Sequence, residues 1–315
     1  MNTKVGTRRK AEPVDGLLLL NKPAGITSNQ ALQKIKRLLN AKKAGHTGSL
    51  DPAATGMLPL CFGEATKVCA YLLDADKTYR VTAKLGEATD TGDTDGKVIE
   101  TAPVPDHDFN FWLDVIQGFR GEIEQIPPMY SALKQDGKRL YELARQGITV
   151  ERKPRTVRIH EIQLMEANKN RLVLHVRCSK GTYIRTLVED IARAAGTLAH
   201  AASLHRENVG DFKAADMLDL TAAVAMAAEG PEALRQKLLP ADIALASWPE
   251  VAIDASAVGK FVGGQAISVG KSTDGLVRVY DPERVFLGVG ELARDGLLAP
   301  RRIFHPAQTV TAAHG

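Results

Sequence analysis

The chain is short of the features that mark secreted, membrane-spanning and zinc-binding proteins. Its three cysteines, Cys61, Cys69 and Cys178, form no CxxC pair and are not interleaved with histidines at zinc-ligand spacing. We interpret them as small buried apolar residues in a reducing cytoplasm. The longest apolar run near the N-terminus, Leu17–Leu20, is far shorter than the roughly 20 residues that cross a bilayer. A secretory signal is also absent, so we predict a cytoplasmic protein that does not contact membranes.

The charge balance is nearly even and excludes little by itself. The chain has 41 basic and 37 acidic residues among 315, which gives a net charge of +4. This mild excess permits a polyanionic partner without requiring one, so the placement of the charges has to decide. With 44% hydrophobic residues, the length suits one large core and a smaller second domain.

The hydrophobic pattern predicts mixed α and β structure rather than a regular βαβ repeat. Thr27 or Ser28 can cap a helix that runs to about Asn40. Asn168, Lys169 and Asn170 separate two alternating strands and indicate a hairpin. The remaining predicted elements are strands at Gly16–Leu20, Met57–Phe62 and Thr78–Leu85, hairpin strands at Thr156–Leu164 and Arg171–Cys178, and helices from Glu64 to about Leu73 and up to about Ala195. Trp248–Pro249 is a predicted boundary, followed by short strands up to about Phe304.

The densest group of special residues is the segment GHTGSLDPAATG, residues 45–56. Three glycines and a proline fix an irregular backbone around one carboxylate, Asp51. Asp51 could simply cap a turn before Pro52. However, Lys42, Lys43 and His46 precede it, so a negatively charged ligand could be held beside an acid that would otherwise repel it. A phosphate backbone fits that arrangement.

Residues 125–150 mix aromatic side chains with positive charge around Asp136-Gly137. The segment contains Tyr130, Lys134, Lys138, Arg139, Tyr141 and Arg145. It could act as a mobile flap that clamps RNA, or it could be an ordinary solvated face.

Two other motifs are rejected on their spacing. In residues 90–96, DTGDTDG, aligning Gly96 with the glycine of a calcium loop places Ala102 where a glutamate is needed, so we predict a hairpin loop. Residues 45–48 lack the GxxxxGK[ST] ending of a nucleotide-binding loop.

Several blocks resemble the bacterial tRNA pseudouridine-55 synthase family of the TruB type. They are LLLLNKP, GHTGSLDPAATGMLPLCFGEATK, DKTYRV, IPPMYSALK and CSKGTYIRTL, in that order between about Gly16 and Val209. The resemblance implies a mixed α/β pseudouridine synthase fold, with a long, mostly antiparallel sheet and flanking helices. It also implies a disordered basic tail at 1–12, a catalytic domain at 13–245 with an RNA-clamping insertion at about 125–150, and a small β-rich PUA-like domain at 249–312.

Carried over residue by residue, the resemblance assigns a catalytic site. Asp51 matches the catalytic aspartate, Arg185 its arginine partner, and Tyr79 and Tyr183 the aromatics of the uridine pocket. The further matches are Leu204 in the pocket and His46, which would insert into the T-loop. Tyr79 is counted with the catalytic group. Contacts to the RNA backbone are predicted at six basic residues: Lys22, Lys42, Lys43, Lys138, Arg139 and Arg145.

The implied reaction is isomerisation of uridine 55 in the T-arm of tRNA, by a monomer that needs no cofactor and no metal. An ionised carboxylate can act as a nucleophile at the sugar or at the base, or can remove a sugar proton, and the sequence leaves these open. Arg185 beside Asp51 would favour the charged carboxylate. The base would have to be flipped out of its stack. A hydrolase with Asp51 as nucleophile would need a second carboxylate, and none accompanies Asp51 in its loop. A non-catalytic RNA-binding module or RNA chaperone is the alternative from another class.

Overall fold

A computed structural model describes residues 10–270 and 274–305. Among these residues, no helix is both long enough and apolar enough to cross a membrane. The strands are β1 Gly16–Lys22, β2 Ala44–His46, β3 Thr55–Phe62, β4 Lys77–Leu85, β5 Glu87–Thr89, β6 Val98–Thr101, β7 Gly121–Gln125, β8 Lys134–Gln135, β9 Lys138–Arg139, β10 Arg155–Asn168, β11 Arg171–Cys178, β12 Ala199–Val209, β13 Leu218–Asp219, β14 Glu250–Ala252, β15 Ile267–Ser268, β16 Gly275–Tyr280, β17 Phe286–Leu292 and β18 Leu297–Ile303. The α-helices are α1 Ser28–Leu38, α2 Cys69–Asp74, α3 Phe109–Gln117, α4 Leu140–Ala144, α5 Ile184–Ala194, α6 Leu220–Glu229, α7 Pro231–Arg235 and α8 Ala255–Val262.

A large mixed sheet dominates the described structure. Its strand order is β13-β1-β3-β12-β4-β11-β10-β7, with β2 added on β3. Most neighbours are antiparallel, but β1 with β13 and β3 with β12 are parallel. Because β12 pairs with both β3 and β4, it joins the two halves of the sheet. The end of the Asp51 loop is therefore separated by the single strand β12 from β4, which carries Tyr79.

Helices cover the large sheet with separate apolar clusters. Trp112 and Ile116 of α3 and Leu187 and Ile191 of α5 pack on the alternating apolar side chains of β4, β10 and β11. Around β1 and β3, the cover comes from α1, α6 and α7, for example through Ile35. Side chains alternate between the two faces of a strand, and an amphipathic helix has one apolar face. Strands and helices therefore pack with their apolar faces together.

A five-stranded sheet, in the order β14-β16-β17-β18-β15, forms from the C-terminal part of the described chain. It is attached to the large sheet by a shared apolar cluster that includes Leu17, Val68, Val289 and Phe304. Lys67 Nζ donates to the carbonyl of Ile303 at 2.7 Å across the same junction. The two sheets are thus packed against each other rather than joined only by a linker.

The predicted elements are found with small changes of boundary. Helix α1 begins after Thr27, whose side chain accepts from Gln30 N in a capping box. The predicted helix from Glu64 is instead a 3-10 helix, Gly63–Val68, followed by the short α2. The strands β10 and β11 form the expected hairpin. Residues 90–96 connect β5 and β6, as expected for a hairpin loop. Of the predicted basic tail, residues 1–9 lie outside the described part, whereas Glu12 is hydrogen-bonded to Asn40 and Lys42.

Candidate active site

The loop that carries Asp51 has a glycine with positive φ on either side of Asp51, and it is hydrogen-bonded to the first residue of α1. Gly48 and Gly56 adopt positive φ values of 82° and 101°, which favour glycine. The Ser28 hydroxyl accepts from Leu50 N at 2.8 Å and donates to Leu50 O at 3.1 Å. The Asp51 carbonyl accepts from Ala54 N at 3.1 Å and closes the turn. The backbone therefore fixes where the Asp51 side chain begins.

Arg185 lies at the centre of the site and is 5% exposed. Its Nε is 3.0 Å from Asp51 Oδ2, and its Nη1 is 3.5 Å from Asp93 Oδ2. Nη1 also donates to the Thr91 carbonyl, and Nη2 donates to the Tyr130 carbonyl at 2.7 Å. One guanidinium at the start of α5 thereby joins the Asp51 loop, residues 91–93 and the segment 125–150.

Opposing effects act on the ionisation of Asp51. Loss of hydration raises its pKa, Arg185 and Lys22 lower it, and Asp93 and Asp95 raise it. The net direction is upward, because burial outweighs the favourable effect of the Arg185 ion pair. The side chain still keeps 38% of its surface exposed, and Asp51 lines an open cavity. Arg185 lowers the pKa of Asp51, as expected from the sequence. Burial has the larger effect, so the pKa of Asp51 is raised overall.

This cavity has a volume of about 310 Å³, within the range of small-molecule sites. Asp51, Tyr79, Tyr183, Arg185 and Leu204 all line it. The two tyrosines come from β4 and from the residue before α5. Asp51 is the sole acidic residue among those that line it.

Both tyrosines are firmly placed. Burial raises the pKa of Tyr79 and also that of Tyr183. The Gln125 side chain accepts from Tyr183 N at 3.0 Å and donates to Tyr183 O at 3.2 Å. Two neutral aromatic rings and an aliphatic residue beside a carboxylate can enclose a planar base.

Comparison with known proteins decides the family. The TruB family pseudouridylate synthase N-terminal domain matches residues 36–184, the tRNA pseudouridylate synthase B C-terminal domain matches 185–246, and the pseudouridine synthase II TruB C-terminal domain matches 249–304. The tRNA pseudouridine synthase B of Nitrosococcus oceani is 50% identical over 94% of this chain and 96% of its own length. That of Vibrio cholerae is 47% identical over 94% and 97%.

The chain belongs to the TruB family of pseudouridine synthases. The resemblance noted in the sequence is confirmed, and the chain is an enzyme of the isomerase class. Solved structures agree on the fold of this synthase. A chain in the crystal structure of a Cbf5-Nop10-Gar1 complex gives a TM-score of 0.72 at 27% identity, covering 92% of this chain and 85% of that one. A chain of an archaeal box H/ACA Nop10-Cbf5 complex gives 0.70 at 24% identity, covering 96% and 94%.

Asp93 is a residue of the site that the sequence did not reveal. Its segment connects β5 and β6, and its side chain is buried against Arg185 of the synthase. Thr91 Oγ1 donates to Asp93 Oδ1 at 2.6 Å, and Asp95 N donates to the same oxygen at 3.1 Å. The one sequence feature that could have pointed to Asp93 is the high content of Asp, Thr and Gly in residues 90–96. Asp93 does not line the 310 Å³ cavity, but it lines a much smaller pocket together with Asp51 and Arg185.

The structure does not fit the predicted role of Lys22 as a phosphate contact. Lys22 is fully buried, and its Nζ donates to the carbonyls of Pro23 and Ile26 at 2.8 Å and of Pro52 at 3.3 Å. Burial also lowers the pKa of Lys22 to about 8. Its three donors hold the backbone next to Asp51, so its charge is directed inward. The prediction failed because a sequence shows charge but not burial.

The other predicted RNA contacts are accessible. Lys42, Lys43, Lys138, Arg139 and Arg145 are all exposed. His46 is partly buried at the end of β2 and does not line the 310 Å³ cavity. Burial, with Arg206 adding to it, lowers the pKa of His46, and its Nδ1 is buried without a hydrogen-bond partner.

The segment 125–150 contains the short hairpin β8–β9, which leads directly into α4. Asp136 and Gly137, with φ values of 50° and 82°, form the turn between β8 and β9. The guanidinium groups of Arg139 and Arg145 lie 5.9 Å and 5.4 Å from the centre of the Tyr141 ring. Positive charge and an aromatic ring thus share one exposed surface. Across residues 10–270 and 274–305, no cluster of three or more potential metal ligands occurs.

Proposed function

We propose that this chain isomerises uridine 55 in the T-arm loop of tRNA to pseudouridine, with Asp51 as the catalytic group. The observation that carries the proposal is the Asp51 carboxylate, held 3.0 Å from Arg185 in a cavity lined by two tyrosines, in a chain of this family. The curated relatives are named for tRNA, which supports the choice of RNA.

The chemistry suits the groups present. The C1′–N1 bond of uridine breaks, the base turns, and a C1′–C5 bond forms, while C5 loses a proton and N1 gains one. An ionised carboxylate facing the cavity can serve as nucleophile or as proton acceptor in this sequence. Arg185 holds the carboxylate in place. Tyr79, Tyr183 and Leu204 enclose the flipped base, and no external group is consumed.

Asp93 argues against a two-carboxylate hydrolase. Both carboxylates contact Arg185, but Asp93 does not line the 310 Å³ cavity, and the pocket that it shares with Asp51 has a volume of only about 10 Å³. A glycosidase needs its second carboxyl on the opposite side of the sugar. The site therefore supports rearrangement better than hydrolysis.

The exposed cations of the segment 125–150 support RNA binding. The basic face around Tyr141 can hold phosphates while the cavity takes one base. A neutral His46 could occupy the place that the flipped base leaves. The cytoplasmic location, the monomeric state, the absence of a required cofactor and the domain boundaries stay predictions.

The test is reaction of the purified chain with an unmodified T-arm hairpin, followed by analysis of the RNA for pseudouridine. Conversion at a single uridine is expected. Asp51→Asn should lose nearly all product and still bind the hairpin, because the amide keeps the shape without the negative charge. The matched control is Asp106→Asn at an exposed loop residue, which should convert the RNA normally.

Two outcomes would contradict the proposal. Binding without any conversion by the parental chain would favour an RNA chaperone. Substantial conversion by the Asp51→Asn variant would show that another group is catalytic.

A further inference from the structure

Arg206 is a buried arginine at the boundary of the cavity that the residues predicted from the sequence do not include. It lies on β12, in register with Gly56 of β3 and Tyr79 of β4. A Cβ at Gly56 would lie 2.2 Å from the Arg206 carbonyl oxygen, so only glycine allows the two backbones to approach this closely. The side chain lines the 310 Å³ cavity and is 1% exposed as a residue.

The Arg206 guanidinium spans the catalytic loop. Its Nε donates to the Met57 carbonyl at 2.7 Å, and its Nη2 donates to the Gly48 carbonyl at 3.0 Å. These two carbonyls stand on either side of Asp51 in the chain. A single planar group therefore holds both ends of the loop, which suits the fixed fork of arginine donors.

The charge of Arg206 has no acidic counterpart. Within residues 10–270 and 274–305, no Asp or Glu oxygen lies within 4.0 Å of its nitrogens, in contrast to Arg185, which meets two carboxylates. Its hydrogen bonds to the Met57 and Gly48 carbonyls and to the side chain of Tyr79 do not neutralise it. An uncompensated positive charge on a residue that is 1% exposed acts more strongly on its surroundings than one in bulk water does.

Neighbouring groups respond to this charge. Burial lowers the pKa of Lys77, another residue lining the cavity, to about 8, and Arg206 adds to that effect. Burial lowers the pKa of His46, and Arg206 contributes in the same direction. Burial raises the pKa of Tyr79, which Arg206 opposes. Arg206 is thus electrostatically coupled to Lys77 and Tyr79, which line the cavity, and to His46, which does not.

We propose that Arg206 is a positioning residue of the synthase, which holds the Asp51 loop at Gly48 and Met57 and supplies the positive charge that favours release of the base from the ribose. The inference rests on the proposed function. When the C1′–N1 bond breaks, its electron pair moves onto the base, which becomes anionic until C5 rejoins C1′. A fixed cation beside the cavity stabilises that charge without reorganising at the moment of reaction.

The experiment compares Arg206→Lys with Arg206→Gln, which are similar in length and differ in charge. Single-turnover release of tritium from C5-labelled uridine in a saturating T-arm hairpin reports the chemical step, and a binding titration reports affinity for RNA. The control is Arg80→Met on β4, because Arg80 is exposed on the other face and pairs with Glu207 at 3.1 Å.

We expect Arg206→Gln to slow the chemical step by about 100-fold, with affinity for the hairpin changed by less than about threefold. The Lys variant should be at least about tenfold faster than the Gln variant, since it retains the charge. Arg80→Met should match the parental rate. Imidazole NMR titration should show a raised pKa for His46 in the Gln variant and little change in the Lys variant, which a purely structural defect would not produce.

Either of two results would overturn the inference: a Gln variant as fast as the active parental enzyme, or Lys and Gln variants that are equally slow. If the Gln variant did not fold, a folded Lys variant more than about 100-fold slower than the parent would also overturn it, because the charge would then be insufficient. A parental chain that released no tritium would instead overturn the proposed function, and this inference with it.

Discussion

The carboxyl of Asp51 has to meet two requirements that have opposite effects on its ionisation. It must reach a substrate from a partly buried position in the cavity, and the partial loss of hydration disfavours its charged form. It must also be ionised to act as a nucleophile or a base. Arg185, 3.0 Å away, lowers the pKa and partly offsets the burial. Asp93 orders Arg185 but repels charge on Asp51, so the balance depends on all three residues.

The pH dependence of catalysis should report this balance. Because the pKa of Asp51 is raised above its ordinary value of 3.8, the single-turnover rate should fall with decreasing pH already above that value. Arg185→Met should move this acid limb to still higher pH, since the interaction that lowers the pKa is removed. The rate should be measured from about pH 4 to 8 with saturating RNA, and circular dichroism at each pH should verify folding.

A parental rate that stays constant through the acid range would mean that the pKa of the Asp51 carboxyl is not raised. An Arg185→Met variant with reduced RNA affinity but a normal rate at saturation would assign Arg185 to phosphate binding instead.

At the scale of elements, the segment 125–150 has buried apolar side chains that attach it to the protein and basic side chains that are exposed to solvent. Leu140 and Leu143 of α4 are buried, and the Tyr130 carbonyl accepts from Arg185. Lys138, Arg139 and Arg145 point to solvent. An element anchored in this way connects the positively charged surface directly to Arg185, which contacts Asp51.

Salt dependence should identify which cations touch phosphates. Each true contact contributes a slope of roughly 0.7–0.9 in log affinity against log salt, because bound RNA releases condensed counterions. Alanine at Lys42, Lys43, Lys138, Arg139 or Arg145 should flatten the slope by about that amount and leave single-turnover chemistry at saturation largely intact.

The matched control is Arg171→Ala, at the end of β11 remote from the cavity, where Arg171 pairs with Glu166. Its slope should equal the parental slope. If all five alanine variants also kept the parental slope, the docking surface would have to be sought elsewhere, first on the C-terminal sheet.

At the scale of the whole molecule, local signals in the sequence were reliable and distant pairings were not visible. Tyr183 and Arg185 could be placed at a strand-to-helix transition because alternation, a glycine and helical spacing occur within a few residues. The role of Arg206 depends on carbonyls about 150 positions earlier in the chain, and its backbone reaches them only through the pairing of β12 with β3. Lys22 was mispredicted because its burial, with Nζ bound to the carbonyls of Pro23, Ile26 and Pro52, cannot be read from its charge.

The attachment of the C-terminal sheet is a further property that no local pattern predicts. Phe304 is 5% exposed and its ring lies 4.9 Å from that of Phe286. The same apolar cluster contains Leu17 of β1 and Val68. Lys67 lies over the Phe304 ring at 5.5 Å while its Nζ binds the neighbouring Ile303 carbonyl. The C-terminal strands therefore contribute to the core beneath β1.

Truncation of Phe304 to alanine should consequently weaken the large sheet as well as the small one. Loss of a buried phenylalanine costs about 3–5 kcal/mol, and the cavity would open next to Leu17 and Val68. Hydrogen exchange should accelerate at the amides of β1 in addition to those of β17 and β18. Leu276→Ala is the control, because Leu276 is 36% exposed on the same C-terminal sheet and its loss should change stability by less than about 1 kcal/mol. Faster exchange confined to the C-terminal strands would show that the two sheets are energetically independent, and that their shared cluster is a contact without coupling.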